Sequence, residues 1–220
     1  MKTIAILGPT ASGKTALSIE LASQYNAHIL SLDSLSIYKE IDIASAKPSL
    51  HERSGITHFG MDVIFPHEHF DVTMFFDLYQ TAKEACLSEN KNLIIVGGTG
   101  FYLKMMMEGI SHKPVLSLHV KQEITTLLQN LNDAYALIET HDKVYAQKIA
   151  SSDKYRIEKW LEIFLSTNQI PSAYLASHKN KPILETIALF EIETPREVLK
   201  ARIEKRTKEM LGGGLIDEIF

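Results

Sequence analysis

The sequence predicts an α/β fold in which a parallel sheet is flanked by helices and carries a helical insertion. Short apolar runs typical of buried strands alternate with amphipathic helical patterns over residues 1–113 and again over 182–220. Residues 114–181 contain helical patterns almost exclusively. We therefore expect an α/β core made of the two outer segments, interrupted by a helical unit at 114–181.

The strands of the sheet are predicted by short apolar runs, and the spacing between these runs leaves room for crossover helices. In chain order the strands are expected at Thr3–Leu7, His28–Leu32, a weaker candidate at His58–Ile64, Asn92–Val96 and Ile183–Ile192. Helical periodicity predicts core helices at Ala16–Tyr25 and Thr73–Glu89. In the insertion it predicts helices at His119–Leu131, Ala134–Thr140, Lys143–Ala150 and Lys154–Thr167.

A long helix is predicted near the end of the chain. Thr194 is expected as its N-cap, Pro195 as its first helical residue and Glu197 as the partner in a capping box. The glycines at Gly212–Gly214 would end it, and Leu215–Phe220 predicts a further amphipathic helix. Because the chain stops inside that pattern, we expect a truncated domain.

The most informative motif is Gly8-Pro9-Thr10-Ala11-Ser12-Gly13-Lys14-Thr15, which matches the phosphate-loop pattern G-x-x-x-x-G-K-[ST]. It lies between a predicted strand and a predicted helix, as a P-loop must. The loop N–H groups and the positive end of the helix dipole would bind phosphate oxygens. Lys14 would add a charge, and the Thr15 hydroxyl would be a ligand for Mg²⁺. The sequence therefore predicts a P-loop NTPase-like fold that binds a diphosphate or triphosphate.

Composition limits the class of protein. With 45% hydrophobic residues and a net charge of −4 over 220 residues, the chain is typical of a globular protein that does not coat nucleic acid indiscriminately. No run approaches the length of a membrane span, and the first strand begins at once, so we expect neither membrane association nor a signal peptide. The single cysteine, Cys86, excludes an internal disulfide and favours the cytoplasm.

Polar residues follow two further strands at the sheet edge where ligands bind in such folds. Asp33-Ser34 follows the second strand, which places Asp33 within reach of whatever Lys14 holds. Gly97-Gly98-Thr99-Gly100 follows the strand that ends at Val96. A turn-capping role for Asp33 and a tight strand-to-helix turn for the glycine segment stay open. That strand lacks the terminal carboxylate of hydrolytic P-loop enzymes, which argues against a simple ATPase.

Basic residues cluster in two predicted helices. The members are Lys148, Lys154, Arg156 and Lys159 in the insertion, and Lys200, Arg202, Lys205, Arg206 and Lys208 in the last long helix. Ordinary surface solvation explains most such clusters. Arg202 and Arg206, however, share a helix face, and a guanidinium fits the oxygens of a diphosphate.

Taken together, these segments resemble the tRNA dimethylallyltransferase (tRNA isopentenyltransferase) family. The resemblance is collinear over nearly the whole chain and rests on Gly8–Thr15, Asp33-Ser34 with Tyr38, Asp42-Ile43, Ala46-Lys47-Pro48, His58, Asp62, Val96–Lys104, Asp153, Arg156-Ile157, Leu161-Glu162, Arg202-Ile203 and Arg206. It implies transfer of a dimethylallyl group from dimethylallyl diphosphate to N6 of the adenine at position 37 of tRNA, beside the anticodon.

The resemblance also implies residue roles. Asp33 would accept a proton from the adenine N6 and orient it, Thr99 would line the reaction channel, and Arg206, or else Arg202, would neutralise the departing diphosphate. The phosphate loop from Gly8 to Thr15 would hold the diphosphate with Mg²⁺ rather than hold ATP. Contacts to the tRNA anticodon stem-loop are expected from Asp33, Ser34, Leu35, Ser36, Thr99, Lys121, Lys154, Tyr155, Arg156, Ile157 and Glu158.

Three other interpretations of the same residues stay open. A small-molecule kinase would use the P-loop for ATP and Asp33 to activate a hydroxyl. A prenyltransferase could use free AMP as its acceptor, although the helical insertion disfavours so small a substrate. A nucleotide-gated binding module would use Asp33 only as a cap. None of these requires a protein partner, and a monomer is expected.

Overall fold

The chain folds into two compact units in the computed structural model, which describes residues 1–98, 100–111, 114–184 and 186–219. The core unit comprises residues 1–107 and 182–220, and the helical unit comprises residues 108–181. The division therefore falls a few residues before the predicted boundary at Lys113, which itself lies outside the described residues.

The core unit contains a parallel sheet with helices on both faces. The strands are β1 (Thr3–Leu7), β2 (Ala27–Ser31), β3 (His58–Phe59), β4 (Asn92–Gly97) and β5 (Ala188–Glu191), in the spatial order β3-β2-β4-β1-β5. Every pairing between these strands is parallel. The predicted parallel α/β sheet is confirmed, and the carboxyl ends of its strands meet at one edge.

Helices occupy both units. They are α1 (Lys14–Gln24), α2 (Val72–Ser88), α3 (Phe101–Glu108), α4 (Leu118–Leu127), α5 (Leu131–His141), α6 (Lys143–Ala146), α7 (Lys154–Thr167), α8 (Pro171–Ser177), α9 (Arg196–Gly212) and α10 (Leu215–Ile219). Among the described residues no helix is both long and apolar enough to cross a membrane.

Apolar residues cover both faces of the sheet, which explains why its strands are continuous apolar runs. On one face Ala5 and Ile95 pack with Phe75 of α2. On the other face Ile6 and Ile94 pack with Ala22 of α1. Because adjacent residues of a strand point to opposite faces, a single strand contributes to both layers. The sheet is thereby held rigidly beneath its polar edge.

Two predicted strands are shorter in the structure than the sequence indicated. The His58–Ile64 run pairs with the sheet only at β3, because the chain turns at Gly60, where φ is +78° and a Cβ would lie 2.5 Å from the Ser31 carbonyl. The Ile183–Ile192 run pairs only over β5. The N–H groups of Ile183 and Leu184 instead donate to the Met106 carbonyl at the end of α3.

The predicted capping box of the last long helix is wrong. The α9 helix begins at Arg196, and Pro195 is its N-cap with no side-chain capping hydrogen bond. Because the helix begins one residue later than predicted, Glu197 is its second and not its third residue, and the N-cap proline has no N–H group to receive a capping bond. The further helix predicted after Gly214 is present as α10, and Phe220 lies outside the described residues.

The helical unit has its own apolar core around Trp160, which is fully buried with Ile138 and Ala134. Asp142 organises this core. Its carboxylate accepts hydrogen bonds from the Trp160 indole N–H at 3.1 Å, from Ser172 N at 2.8 Å and from Tyr145 N at 3.1 Å. Burial alone would raise the pKa of Asp142, but these hydrogen bonds outweigh it and hold the pKa below its ordinary value.

We predict that Asp142→Asn destabilises the chain at neutral pH by about 1–3 kcal/mol, because an amide cannot accept from every donor around it. Since the pKa of Asp142 is depressed in the folded state, its stabilising effect is complete above the unfolded pKa of about 3.9 and is lost as the pH falls through the folded pKa. Urea unfolding followed by the fluorescence of Trp160 at pH 7 and at pH 2 measures this.

The exposed Glu139→Gln variant, in the neighbouring helix α5, is the control and should change stability by less than about 0.5 kcal/mol. Equal losses in the two variants, or a loss at Asp142 that does not shrink at low pH, would contradict the prediction.

Candidate active site

The phosphate loop is held against the N-terminus of α1 by its own backbone. Ser12 N donates to the Pro9 carbonyl at 3.2 Å, and Gly13 adopts a left-handed φ of +92° as the N-cap of α1. A Cβ on Gly8 would lie 2.8 Å from the Ser12 Oγ, so glycine permits this close approach. The loop therefore points its free N–H groups and the helix dipole toward one anion site.

Two polar groups in this loop are poised for a ligand. The Ser12 Oγ is buried and has no hydrogen-bond partner among the described residues. Among the described residues, the Lys14 Nζ donates only to the Pro9 carbonyl, in a long hydrogen bond of 3.3 Å. Partial burial lowers the pKa of Lys14 below its ordinary value, an effect that Asp33 opposes and Arg206 reinforces. An anionic ligand would satisfy both groups.

A cavity of about 70 Å³ adjoins the loop. Its described lining includes Thr10, Lys14, Thr15, Ser31, Asp33, Ser36, Lys47, His58 and Arg206. The structure thus brings Asp33 and Arg206, both predicted to be catalytic, to the same cavity as Lys14 and Thr15. Their chemical roles stay predictions.

Asp33 caps a turn and lines the cavity at the same time. Its Oδ1 accepts from Leu35 N at 2.9 Å and from Ser36 N at 3.4 Å, which is the geometry of an Asx turn. The Oδ2 takes part in neither of these turn hydrogen bonds. The turn-capping interpretation and the active-site interpretation of Asp33 are therefore compatible, because they use different oxygens.

The residues after Asp33 differ in accessibility. Ser34 and Leu35 are exposed, as a contact with a macromolecule requires. Ser36 is only 3% exposed, and its Oγ lies 3.0 Å from the Ser31 Oγ. A ligand can reach Ser36 only through the cavity.

The two arginines of α9 have different environments. The Arg202 Nη1 donates to the Ala11 carbonyl at 3.2 Å, so this guanidinium contacts the outside of the phosphate loop. Arg206 lines the cavity. Of the two candidates for neutralising a diphosphate, Arg206 is placed at the site and Arg202 supports the loop.

Thr99, predicted to line the reaction channel, lies outside the described residues. Gly98 before it is described and adjoins the phosphate loop. A Cβ on Gly98 would lie 4.0 Å from the Lys14 Nζ. Glycine at this position therefore leaves space for a ligand beside the ammonium.

In the helical unit, the predicted tRNA-contacting residues fall into two groups. Lys121, Lys154, Tyr155 and Arg156 are exposed, and the last three form the first turn of α7. Glu158 is partly buried, and Ile157 is fully buried in the core of the unit. The Ile157 side chain therefore packs against other helices and cannot contact RNA.

Sequence analysis assigned no role to two further residues that line the cavity, Lys47 and His58, which we call its second wall. Lys47 is the centre of this wall, and its side chain is only 2% exposed. The Lys47 Nζ donates to the Tyr38 carbonyl at 2.5 Å, to Asp42 Oδ1 at 2.7 Å and to Asp62 Oδ1 at 2.6 Å. Two carboxylates flanking one lysine in the sequence are too common a pattern to predict such a cluster.

His58 is a further unassigned residue of this wall. Its Nδ1 lies 2.9 Å from the Ile56 carbonyl and must donate to it, which leaves Nε2 as an acceptor. That Nε2 is buried without a hydrogen-bond partner in the part of the chain that is described. Burial lowers the pKa of His58 below its ordinary value, so the ring is neutral at pH 7.

Fold and site together define a P-loop NTPase-like protein with a cavity lined by residues of the phosphate loop, the sheet edge and α9. Residues 36–220 match the family model described as IPP transferase. Over 220 residues the chain is 52% identical to the tRNA dimethylallyltransferase of Sulfurovum sp. (strain NBC37-1), covering all of this chain and 73% of that protein. It is 49% identical to the tRNA dimethylallyltransferase of Aliarcobacter butzleri (strain RM4018), with the same coverage. The chain belongs to the tRNA dimethylallyltransferase (IPP transferase) family.

Solved structures with the same family names are also similar to this chain. A eukaryotic dimethylallyltransferase acting on tRNA superposes with a TM-score of 0.80 at 27% identity, and the chain covers 55% of that protein. The tRNA isopentenylpyrophosphate transferase of Staphylococcus epidermidis has a TM-score of 0.61 at 30% identity, with 72% of its chain covered. The family, the P-loop NTPase-like fold and the prenyltransferase class predicted from the sequence are confirmed.

We predict that Lys14→Gln and Arg206→Gln each weaken the binding of inorganic pyrophosphate by roughly 10- to 100-fold, because each removes a charge-assisted hydrogen bond from a partly desolvated site. Isothermal titration calorimetry measures the Kd. Lys200→Gln makes the same charge change at an exposed position of α9 and is the control. Similar losses in all three variants would mean that only net charge matters.

Proposed function

We propose that this chain transfers a dimethylallyl group from dimethylallyl diphosphate to N6 of the adenosine at position 37 of tRNA, beside the anticodon, and releases diphosphate. The observation that carries the proposal is the meeting of Lys14, Asp33 and Arg206 at one cavity. The relatives that name the family are tRNA dimethylallyltransferases, and one similar structure is described as acting on tRNA.

The cationic side of the site suits the leaving group. Cleavage of the allylic C–O bond develops negative charge on diphosphate and positive charge on the hydrocarbon. The phosphate-loop N–H groups, Lys14 and Arg206 would stabilise the diphosphate, and the Ser12 hydroxyl would gain the partner it lacks. Because these groups are held in place before the reaction, little reorganisation is needed during it.

The Asp33 carboxylate suits the acceptor. Adenine N6 is a weak nucleophile, so a positioned carboxylate that accepts its proton should increase the rate by about 10²–10⁴-fold. The turn bonds to Oδ1 restrain the side chain, and Oδ2 would accept the proton. The new N6–carbon bond would form as the C–O bond breaks.

The site fits a magnesium ion bound together with the diphosphate. The Thr15 hydroxyl lines the cavity, and the described residues contain no cluster of three or more acidic, histidine or cysteine side chains that could hold a metal alone. Mg²⁺ often binds through one or two protein oxygens, waters and substrate phosphates. Thr15 would hold the ion, which would add positive charge beside the diphosphate.

Recognition of tRNA is proposed to use exposed residues of both units. Ser34 and Leu35 flank Asp33, and Lys121, Lys154 and Arg156 offer positive charge for RNA phosphates. The target adenine must leave its stack to reach the carboxylate, which is the general route by which enzymes modify a base. Since Thr99 follows the sheet edge in sequence, we propose that it also lines the channel and contacts the tRNA.

We further propose that the protein acts as a monomer in the cytoplasm. The phosphate loop, Asp33 and Arg206 of the same chain line one cavity, which supports action by a single copy. Transfer RNA supplies the substrate in that compartment, and the buried thiol of Cys86 suits a reducing environment.

We predict that Asp33→Asn lowers kcat for dimethylallyl transfer to tRNA by about 10²–10⁴-fold and leaves pyrophosphate binding nearly unchanged. Asparagine keeps the Oδ1 acceptor of the turn but cannot accept the proton. The assay uses radiolabelled dimethylallyl diphosphate with unmodified tRNA, AMP or no acceptor, and ATP hydrolysis is measured in parallel.

Asp77→Asn, at an exposed position of α2, is the control and should behave like the wild type. Label entering tRNA alone supports the proposal. Label entering AMP, or ATP turnover without transfer, would favour the free-nucleotide prenyltransferase or the kinase respectively. Wild-type transfer rates in Asp33→Asn would exclude Asp33 as the base.

A further inference from the structure

We propose that Glu218 is a positioning residue for Arg206. Its carboxylate anchors α10 to the backbone of the turn at residues 42–46, and this contact determines where α9 presents the Arg206 guanidinium to the diphosphate site. The functional consequence rests on the proposed function, whereas the effect on anion binding does not.

The contact is made by charge-assisted hydrogen bonds across the sequence. Ile43 N donates to Glu218 Oε2 at 2.5 Å and to Oε1 at 3.1 Å, and Ala44 N donates to Oε1 at 3.2 Å. Two consecutive N–H groups thus converge on one carboxylate. Bonds of this kind are about twice as strong as neutral ones, so the contact is a strong anchor for its size.

The helices that carry Arg206 are weakly held by apolar packing. None of the residues of α9 or α10 is buried. The partly buried residues of α9 are Leu199, Arg206 and Met210, which recur at helical spacing on one face. Because little apolar area is removed from water, polar contacts must contribute much of the positioning.

The space beside Arg206 is open rather than packed. A cavity of about 680 Å³ lies between α9 and the segment 42–53, which includes the 42–46 turn. Its lining includes Ile43, Lys47, Arg206, Met210 and Gly213. Continuous side-chain packing therefore does not fix the distance between the 42–46 turn and this part of α9. The Glu218 contact joins the two sides of this cavity at a point C-terminal to Arg206.

The opposite side of Arg206 has the second anchor. Arg202, one turn earlier on α9, donates to the Ala11 carbonyl of the phosphate loop at 3.2 Å. Arg206 thus lies between two polar anchors, one on the phosphate loop and one on the 42–46 turn. Losing either would let the helix pivot about the other.

The surface that receives Glu218 is itself rigid. Lys47, directly after the turn, is bonded to Asp42, Asp62 and the Tyr38 carbonyl. Gly214 makes the bend between α9 and α10 with a φ of +96°, which other residues adopt only with strain. A rigid turn and a defined bend mean that the Glu218 contact sets the position of the helix and does not merely follow it.

The test is a double-mutant cycle of Glu218→Ala with Arg206→Ala, read out by the Kd for inorganic pyrophosphate and by kcat and KM for transfer to tRNA. Glu218→Ala alone should weaken pyrophosphate binding and lower kcat by roughly 10- to 100-fold, since a displacement of about 1 Å has effects of this size. The KM for tRNA should change little. In the Arg206→Ala background, Glu218→Ala should cause almost no further loss, because the group it positions is gone.

Two further variants serve as controls. Glu218→Gln keeps one acceptor oxygen for the N–H groups and should recover part of the loss. Asp217→Ala removes a neighbouring exposed carboxylate of α10 and should resemble the wild type. Circular dichroism and thermal melting confirm that each variant is folded at the assay temperature.

A full additional loss from Glu218→Ala in the Arg206→Ala background would overturn the inference, because Glu218 would then act independently of Arg206. Wild-type pyrophosphate binding in Glu218→Ala would overturn it too. If the wild type fails to modify tRNA, the proposed function fails, and the pyrophosphate cycle still decides the role of Glu218.

Discussion

The site depends on one constraint, which is that the carboxyl ends of all the parallel strands meet at a single edge of a fully buried sheet. Because of it, the phosphate loop after β1, Asp33 after β2 and Gly98 after β4 converge although they lie far apart in sequence. The apolar layers on both faces hold this edge still. The N–H groups of the loop can then be aimed at an anion without moving when it binds.

The two sides of the site differ in how firmly packing holds them. The sheet side is rigid because its residues follow strands that are packed on both faces. The side contributed by α9 has no buried residues and is held by polar contacts at Arg202 and Glu218. Under the proposed function the site would admit dimethylallyl diphosphate and release diphosphate, and a weakly packed side suits this because such elements open locally. Arg206 lies on the α9 side of the cavity, and Lys14 lies on the sheet side.

Local signals predicted the elements that depend on local physics. Thr3–Leu7 and Lys154–Thr167 have the predicted bounds, because an apolar run between polar neighbours and an Asp153 N-cap are sufficient signals. Predictions failed where distant groups decide the outcome. The His58–Ile64 strand is cut short by a turn at Gly60 that passes against the Ser31 carbonyl. The tRNA contact expected of Ile157 failed for a different reason: the family resemblance implied it, whereas the local helix period turns this side chain into the core of the helical unit.

The sequence by itself determined the fold class, the phosphate loop and the family, because a strand, a glycine loop and a helix in register are written in consecutive residues. It also indicated Asp33, since a carboxylate directly after a central strand has only one edge to occupy. Only the tertiary structure decided that Arg206 and not Arg202 lines the cavity, and that Lys47 and Glu218 hold its second wall. Those roles arise from contacts between segments up to 191 residues apart, whose geometry no local pattern encodes.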